Sequence, residues 1–469
     1  MLLLQQKQTE ALGTQPIGKL LLRLAAPAVA AQIINLLYNL VDRMYIGHIA
    51  PTDTVGRVAL TGVGVCLPLI MIISAFAALA GQGAAPRASI YLGKGETDKA
   101  EEVLGNATSA LVFLSVVLTA VFYIFAEPML LAFGANDGTG GTDNTLLYGF
   151  EYLRLYSLGT LFVLVTLGLN TFISAQGFTV TSMLTVLIGA VCNIILDPIF
   201  IFGLDMGVRG AALATILSQA VSMIWILKFL TGKKTTIRIR LRYLKPNWSV
   251  LLPSLALGLS PFIMMATESL IAVCFNTSLR KYGGDLAVGA MTILSSVMQF
   301  SMLPLQGLTQ GAQPIISYNY GAGNADRVRH AFRLQVLCTT TFSVVLWLAV
   351  QCFPDVFIKI FNDAPSLVEV ARPALRIYTA AVCLLGVQIG CQQTFVAIGN
   401  AKSSLFLALL RKVFLLIPFI YLLPNILPFQ KTTCVFLAEP AADILAVATT
   451  VTLFSIQFRR AMKRLENHS

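Results

Sequence analysis

The residues best placed to do chemistry are polar side chains set into otherwise apolar helices. In the string AQIINLLYNLVDRMYIGH (31–48), Gln32, Asn35, Asn39 and Asp42 recur at helical spacing. At 100° per residue they cover an arc of roughly 80°, with Tyr38 beside it. A stripe that narrow must face protein or water, and a carboxylate at its end is costly in hydrocarbon, which makes Asp42 a functional candidate. Arg43 lies about 100° round the helix, so a simple pair with Asp42 is not the expected arrangement. A second constellation stands in GAVCNIILDPIFIFG (189–203). Asn193 and Asp197 are one turn apart on one face. Pro198 has no N–H to give, so the Ile194 carbonyl loses its usual partner. A carboxylate, an amide and a freed carbonyl are hard oxygen ligands, suited to a proton or to Na⁺. Asp42, Asn193 and Asp197 are therefore candidate Na⁺ ligands. Thr215, in the next apolar segment, is expected at a similar depth.

The second half of the chain is polar in a different way. Glu268 reads as a lone acid in an apolar helix, able to bind a cationic substrate or to hydrogen-bond a neighbouring helix. Arg411 and Asp443 come out at similar depth and are expected to form a structural ion pair. Gln299, with Gln306, Gln310 and Gln313, and Gln388, Gln392 and Gln393, offers a neutral polar lining or interhelical hydrogen bonds. Met264 and Met265 offer an adaptable apolar wall. With Gln32, Asn35, Tyr38 and Asn39, the residues Met265, Glu268 and Gln299 are the candidate substrate-cleft lining.

These positions need long helices, and the composition supplies them. Hydrophobic residues make up 56% of the 469 residues and charged residues 12%, about half the soluble norm. Many apolar stretches reach the ~20 residues that cross ~30 Å of hydrocarbon. Twelve spans are predicted, at 17–47, 57–82, 100–125, 149–174, 180–203, 209–230, 249–277, 287–316, 328–352, 372–396, 403–424 and 433–457. The expected fold is an all-α integral membrane protein. The polar first ~20 residues lack the apolar run and cleavage site of a signal peptide. Eight cysteines stand singly, with no C-x-x-C pair, and read as free thiols. The net charge of +11 lies in loops, so it reports topology and not nucleic-acid binding. The segment 228–245 carries seven Lys/Arg and no acid, whereas 126–149 carries Glu127, Asp137 and Asp143 and no base. The basic places fall on one side if both termini are cytoplasmic.

A motif is written twice. GAAPRASIYLGKGETDK (83–99) and GAQPIISYNYGAGNADR (311–327) share Gly, Ala, Pro, Ser, Gly, Gly and Asp at an offset of 228. A repeat of nearly half the chain predicts two six-helix lobes, 1–227 and 246–469, joined by a basic cytoplasmic linker, 228–245. Six spans per copy is an even number, so the copies insert alike, related by a pseudo-two-fold along the membrane normal with a cleft between. The glycines and basic residues of the motif are expected to turn the chain.

Together YNLVDRMYIGH (38–48), NIILDPIFIFGLDMGVRGAALAT (193–215) and the doubled glycine motif resemble the multidrug and toxic compound extrusion (MATE) family. The resemblance covers essentially the whole chain. It implies a secondary antiporter exporting organic, often cationic compounds in exchange for H⁺ or Na⁺, by alternating access of the lobes. It places Asp42, Asn193, Asp197 and Thr215 at the family's cation and proton site. Some members carry a carboxylate on the tenth helix, where this chain reads GVQIGCQQTF, which locates the coupling in the first lobe. Beyond H⁺ or Na⁺ no cofactor is expected. The expected partners are small organic substrates and the bilayer of the cell membrane, with the chain acting as a monomer and no role for nucleic acid. Two alternatives differ in kind. A lipid-linked oligosaccharide flippase would line its cleft with Arg and Lys for pyrophosphate. A membrane enzyme would need clustered catalytic groups, and the histidines (His48, His330 and His468) lie in loops or at a terminus, with no H-E-x-x-H, Walker A or G-x-S-x-G string.

Overall fold

A computed structural model describes residues 9–49, 53–138, 144–361 and 364–467. Asp143 and His468 lie outside the described residues. All regular structure among those described is helical. The long helices are α1 (Ile17–Gly47), α2 (Asp53–Gly93), α3 (Thr97–Ile124), α4 (Thr145–Leu158), α5 (Thr160–Ala175), α6 (Thr179–Pro198) and α7 (Gly207–Thr231). They continue as α8 (Trp248–Gly321), α9 (Ala325–Cys352), α10 (Pro365–Tyr378), α11 (Val382–Ala397), α12 (Ala401–Leu409), α13 (Ile417–Ile426) and α14 (Lys431–Glu466). Short helices at Ala126–Ala132 and Pro354–Lys359 occupy two of the connections.

Nine of the described helical segments are long and apolar enough to cross a membrane, and two bent pairs bring the number to eleven. The twelfth comes from α8. Its 74 residues would extend about 110 Å if straight, and the chain breaks at Gly284, whose φ of 66° and ψ of −160° are non-helical. Two of the predicted spans are bent. α4 and α5 meet at 60°, and α10 and α11 at 46°. At the first bend the α-carbon of Gly159 faces Ile216, whose Cγ1 would sit 2.5 Å from an added Cβ. Pro27 lies inside a helix that runs from Ile17 to Gly47.

The chain divides into two compact units. One comprises residues up to Ala11 together with Ala30–Gly258, and the other comprises Leu12–Val29 and Leu259–Ser469. Residues 17–29 of α1 and 248–258 of α8 are therefore exchanged between the repeats, with boundaries nearly equivalent under the 228-residue offset. The segment 228–245 is an ordered strap on the first unit. The Gln176 side-chain oxygen accepts from Thr235 Oγ1 and from the backbone N–H of Thr236 and Ile237 at 2.8, 2.8 and 3.1 Å. Glu101 accepts from the Arg238 N–H at 3.2 Å and pairs with Arg240 at 2.5 Å. Burial of Gln176 and Glu101 makes these bonds worth more than exposed contacts, because neither group has water to fall back on.

The doubled motif does two jobs. Gly95 and Gly323 turn the chain at left-handed φ of 76° and 77°, as the sequence suggested. The leading glycines do something else, since residues 83–93 and 311–321 are helical. A Cβ at Gly83 would lie 2.2 Å from the Ser254 carbonyl oxygen, and one at Gly311 would lie 2.4 Å from the Ala25 α-carbon. Each glycine lets the exchanged half-helix of its unit approach backbone to backbone. Gly258 completes the first contact, where a Cβ would meet the Leu79 carbonyl oxygen at 1.8 Å. Gly258→Ala is expected to lower the thermal unfolding temperature in detergent markedly, by at least the ~1–3 kcal/mol of ordinary overpacking. Gly64→Ala, where nothing lies within 4 Å, is the control and should leave it unchanged or slightly raised.

Two apolar clusters form the core of the second unit. One gathers Phe275, Leu279, Leu294, Leu375, Ile420 and Phe436. The other gathers Leu20, Leu24, Ile315, Phe395, Phe454 and Met462, with the α1 half-helix inside it.

Candidate functional site

Three helices of the first unit bring the predicted polar residues together. α6 buries Asn193 and Asp197 completely, at 2% and 0% exposure. The Asn193 amide donates to Asp197 Oδ1 at 3.2 Å and to Thr215 Oγ1 on α7 at 3.4 Å. Thr215 donates in turn to the Ala211 carbonyl at 3.0 Å. Asp42 of α1 stands within hydrogen-bonding reach of Asp197. Immediately after Asp197, Pro198 ends the regular helix and residues 199–203 continue as a wider π turn. Such turns concentrate at functional sites, because they loosen the backbone without unfolding it.

Hydrogen bonding at this cluster is incomplete in one specific way. Asp42 Oδ1, Asn193 Oδ1 and Asp197 Oδ2 are buried and receive no hydrogen bond from protein. Every unmet atom is an acceptor. Two facing carboxylates repel when both are ionised, and buried acceptors without donors cost of order 1–3 kcal/mol each. A proton shared by the pair, or a small cation among the oxygens, answers both deficits. Among the described residues no set of three or more His, Cys, Asp or Glu stands ready to hold a metal. Any cation here would take two carboxylates and neutral oxygens.

Two residues at the site were not found from sequence. Tyr152 and Tyr156, one turn apart on α4, stack at 5.9 Å between ring centroids and are almost fully buried. The Tyr152 hydroxyl lies within hydrogen-bonding reach of Thr215, and both rings approach Asp42. The signal was present as a Tyr pair at i and i+4, but helix-boundary tyrosines are common enough to hide it. Tyr152→Phe removes one hydroxyl and no volume. It is expected to slow ion-coupled transport roughly fivefold, the scale of one ~1 kcal/mol hydrogen bond, with an unchanged melting temperature.

The other candidates scatter. In the first unit Asn35 and Asn39 are exposed, with the Asn39 amide donating to the Asn35 carbonyl at 2.6 Å. Gln32 is half-buried, and Tyr38 approaches both Asp42 and Asp197. In the second unit Met265 is half-buried and Gln299 exposed. Gln388 and Gln392 are buried, the latter donating to Ser260 at 3.3 Å, so this glutamine is interhelical packing and not lining. Arg411 Nε lies 2.7 Å from Asp443 Oδ1 and its Nη2 lies 3.4 Å from Glu439 Oε1. Glu268 is not the lone acid the sequence suggested. The Lys412 ammonium donates to it at 3.0 Å, from a π-helical segment, residues 410–416, in which both Arg411 and Lys412 are buried.

Twelve apolar spans in two units, with a buried acceptor-rich cluster inside one of them, define a polytopic membrane transporter. The pattern of the MatE family matches this chain twice, at residues 27–199 and 261–422, once in each copy of the repeat. The chain belongs to the MATE family of multidrug efflux transporters, and is thus a transporter and not an enzyme. The multidrug export protein MepA of Staphylococcus aureus is 24% identical over 444 residues, 95% of each chain. Its counterpart from Staphylococcus haemolyticus is 24% identical over 431 residues, 90% of this chain and 92% of that one. A crystal structure of MATE in the bent conformation superimposes with a TM-score of 0.88 at 22% identity, covering 98% of this chain and 99% of the other. A MOP superfamily transporter from Pyrococcus furiosus, described as having a binding pocket of reversed polarity, superimposes with a TM-score of 0.85 at 22% identity, over 97% and 98% of the two chains.

Proposed function

We propose that this protein is a secondary antiporter that exports organic, cationic or amphipathic compounds in exchange for H⁺ or Na⁺, with Asp42, Asn193, Asp197 and Thr215 as the coupling site. The observation that carries the reading is the trio of unmet buried oxygens on Asp42, Asn193 and Asp197. A site with buried acceptors to spare favours a proton or a cation over any anion. When the ion binds, the facing carboxylates lose their repulsion and the α1 and α6 segments draw together. When it leaves, negative charge returns. Loading and release of the ion thus alternate the charge of the site, which is the minimum requirement for driving an exchange. The membrane potential adds about 2.3 kcal/mol per charge per 100 mV to whichever cation moves inward.

The multidrug export proteins similar to this chain support a broad organic substrate range. Glu268, in the second unit, is the group that would meet a cationic substrate. The chain is placed in the cell membrane with both termini cytoplasmic, on the basic loops at 228–245 and 459–464. It is expected to act as a monomer. Purified protein in vesicles, given a cationic dye and either a pH or a Na⁺ gradient alone, tests the reading. Uphill accumulation under one of the gradients, collapsing with the matching ionophore, is the expected result. Dye movement that never exceeds equilibration would identify a passive pathway instead.

A further inference from the structure

The second unit holds five ionisable side chains in one alternating row. Arg411 meets Asp443 and Glu439, and Lys412 meets Glu268. Lys412 also acts electrostatically on Glu439. The order is Glu268, Lys412, Glu439, Arg411, Asp443, three acids against two bases. Fully ionised, the row has one negative charge in excess. Four of the five side chains are no more than 10% exposed, whereas Glu268 is 57% exposed. A carboxylate in a membrane-crossing helix does not present its open side to lipid without heavy cost. The open side of Glu268 therefore faces water or a ligand. It is the one place where the excess charge can be balanced from outside.

We propose that Lys412 is an internal competitor for an organic-cation site on Glu268. A cationic substrate displaces the Lys412 ammonium from Glu268, and Lys412 turns to Glu439, so the row exchanges its resident cation for an incoming one. The incoming charge balances the excess carboxylate, and no acid or base is left buried without a partner. Competition lowers affinity, because part of the substrate's attraction to Glu268 is spent on breaking the 3.0 Å pair. It also sets specificity, since an uncharged compound gains nothing at Glu268 and cannot displace Lys412. This proposal rests on export of organic cations as the function.

The test is equilibrium binding to full-length protein in detergent, with rhodamine 6G as monocation and Nile red as uncharged dye. Lys412→Met is expected to tighten rhodamine 6G binding roughly tenfold or more, the scale of one charge-assisted hydrogen bond, and to leave Nile red unchanged. Adding Glu268→Gln should abolish that gain. Lys412→Arg, which keeps the charge and grips a carboxylate with two N–H groups, should bind rhodamine 6G no better than wild type. Equal rhodamine 6G affinity in Lys412→Met and wild type overturns the proposal, as does a gain shared by both dyes. Should Lys412→Met fail to fold, Glu439→Gln decides. It removes the acceptor for the displaced ammonium and must weaken rhodamine 6G binding, and unchanged binding overturns the proposal. No gradient is present, so these results stand apart from the vesicle experiment. A wild type that never accumulates dye uphill defeats the antiport reading, whereas wild-type antiport with an inert Lys412 defeats this one alone.

Discussion

Asp197→Asn is expected to abolish ion-driven accumulation of substrate while leaving the protein folded. Asparagine matches aspartate in shape and keeps the carbonyl oxygen that accepts from Asn193 at 3.2 Å. It takes away the second carboxylate of the pair, and with it the charge proposed to bind and release a coupling ion. For one-for-one exchange, a pH difference of one unit sustains about tenfold accumulation, or ~1.4 kcal/mol. The variant should fall to none, with at most downhill movement of dye as a leak of the unlocked cycle. Asp42→Asn should do the same from the other side of the pair. An orphaned acceptor on a fully buried residue also costs stability, so the folded Asn variants are expected to be no less stable than wild type. Full ion-driven accumulation in both variants would show that the coupling charge lies elsewhere.

The largest stability effect is expected at Arg411. Its guanidinium donates to Asp443 at 2.7 Å and to Glu439 at 3.4 Å, and all three side chains are at most 10% exposed. Arg411→Met leaves two carboxylates facing each other in the interior. Removing one partner of a buried pair costs about 3–5 kcal/mol, enough to deplete folded protein in the membrane or to lower its unfolding temperature steeply. The double variant Arg411→Met with Asp443→Leu removes both the base and its nearer acid. It should be more stable than Arg411→Met alone, because coupled residues do not add. Simple addition of the two single effects would show that the pair contributes nothing as a pair.

Much of this was legible in the sequence where charge interrupts hydrocarbon. Asp42 and Asp197 stood out because a carboxylate inside an apolar helix has few structural excuses, and helical spacing put Asn193 on the face of Asp197. Arg411 and Asp443 were readable for the same reason. Tyr152 and Tyr156 were not, since tyrosine is amphipathic and no charge marks it. Nor was the pairing of Glu268 with Lys412. Neighbouring helical residues diverge by about 100°, so two consecutive basic residues are not expected to be buried together, as Arg411 and Lys412 are. The basic segment 228–245 read as a linker because its charges dominate its composition. Its ordering depends on Gln176 and Glu101, which are distant in sequence. The glycines at 83 and 311 read as turn formers, and a turn is what glycine most often means. Their actual neighbours, at Ser254 and Ala25, are set by which half-helix each repeat takes in, and that exchange is invisible in a linear pattern.

The central claim is that the Asp42 and Asp197 carboxyl pair holds the ion that substrate export consumes. The most direct measurement is substrate-driven ion movement. Vesicles holding the purified protein are loaded with a cationic dye and diluted into dye-free medium, with luminal pH and Na⁺ followed by fluorescent reporters. Dye leaving by exchange should drive H⁺ or Na⁺ the opposite way in wild type. The Asp42→Asn, Asp197→Asn double variant should bind dye but move neither ion. Ion movement in the double variant at the wild-type rate would contradict the account.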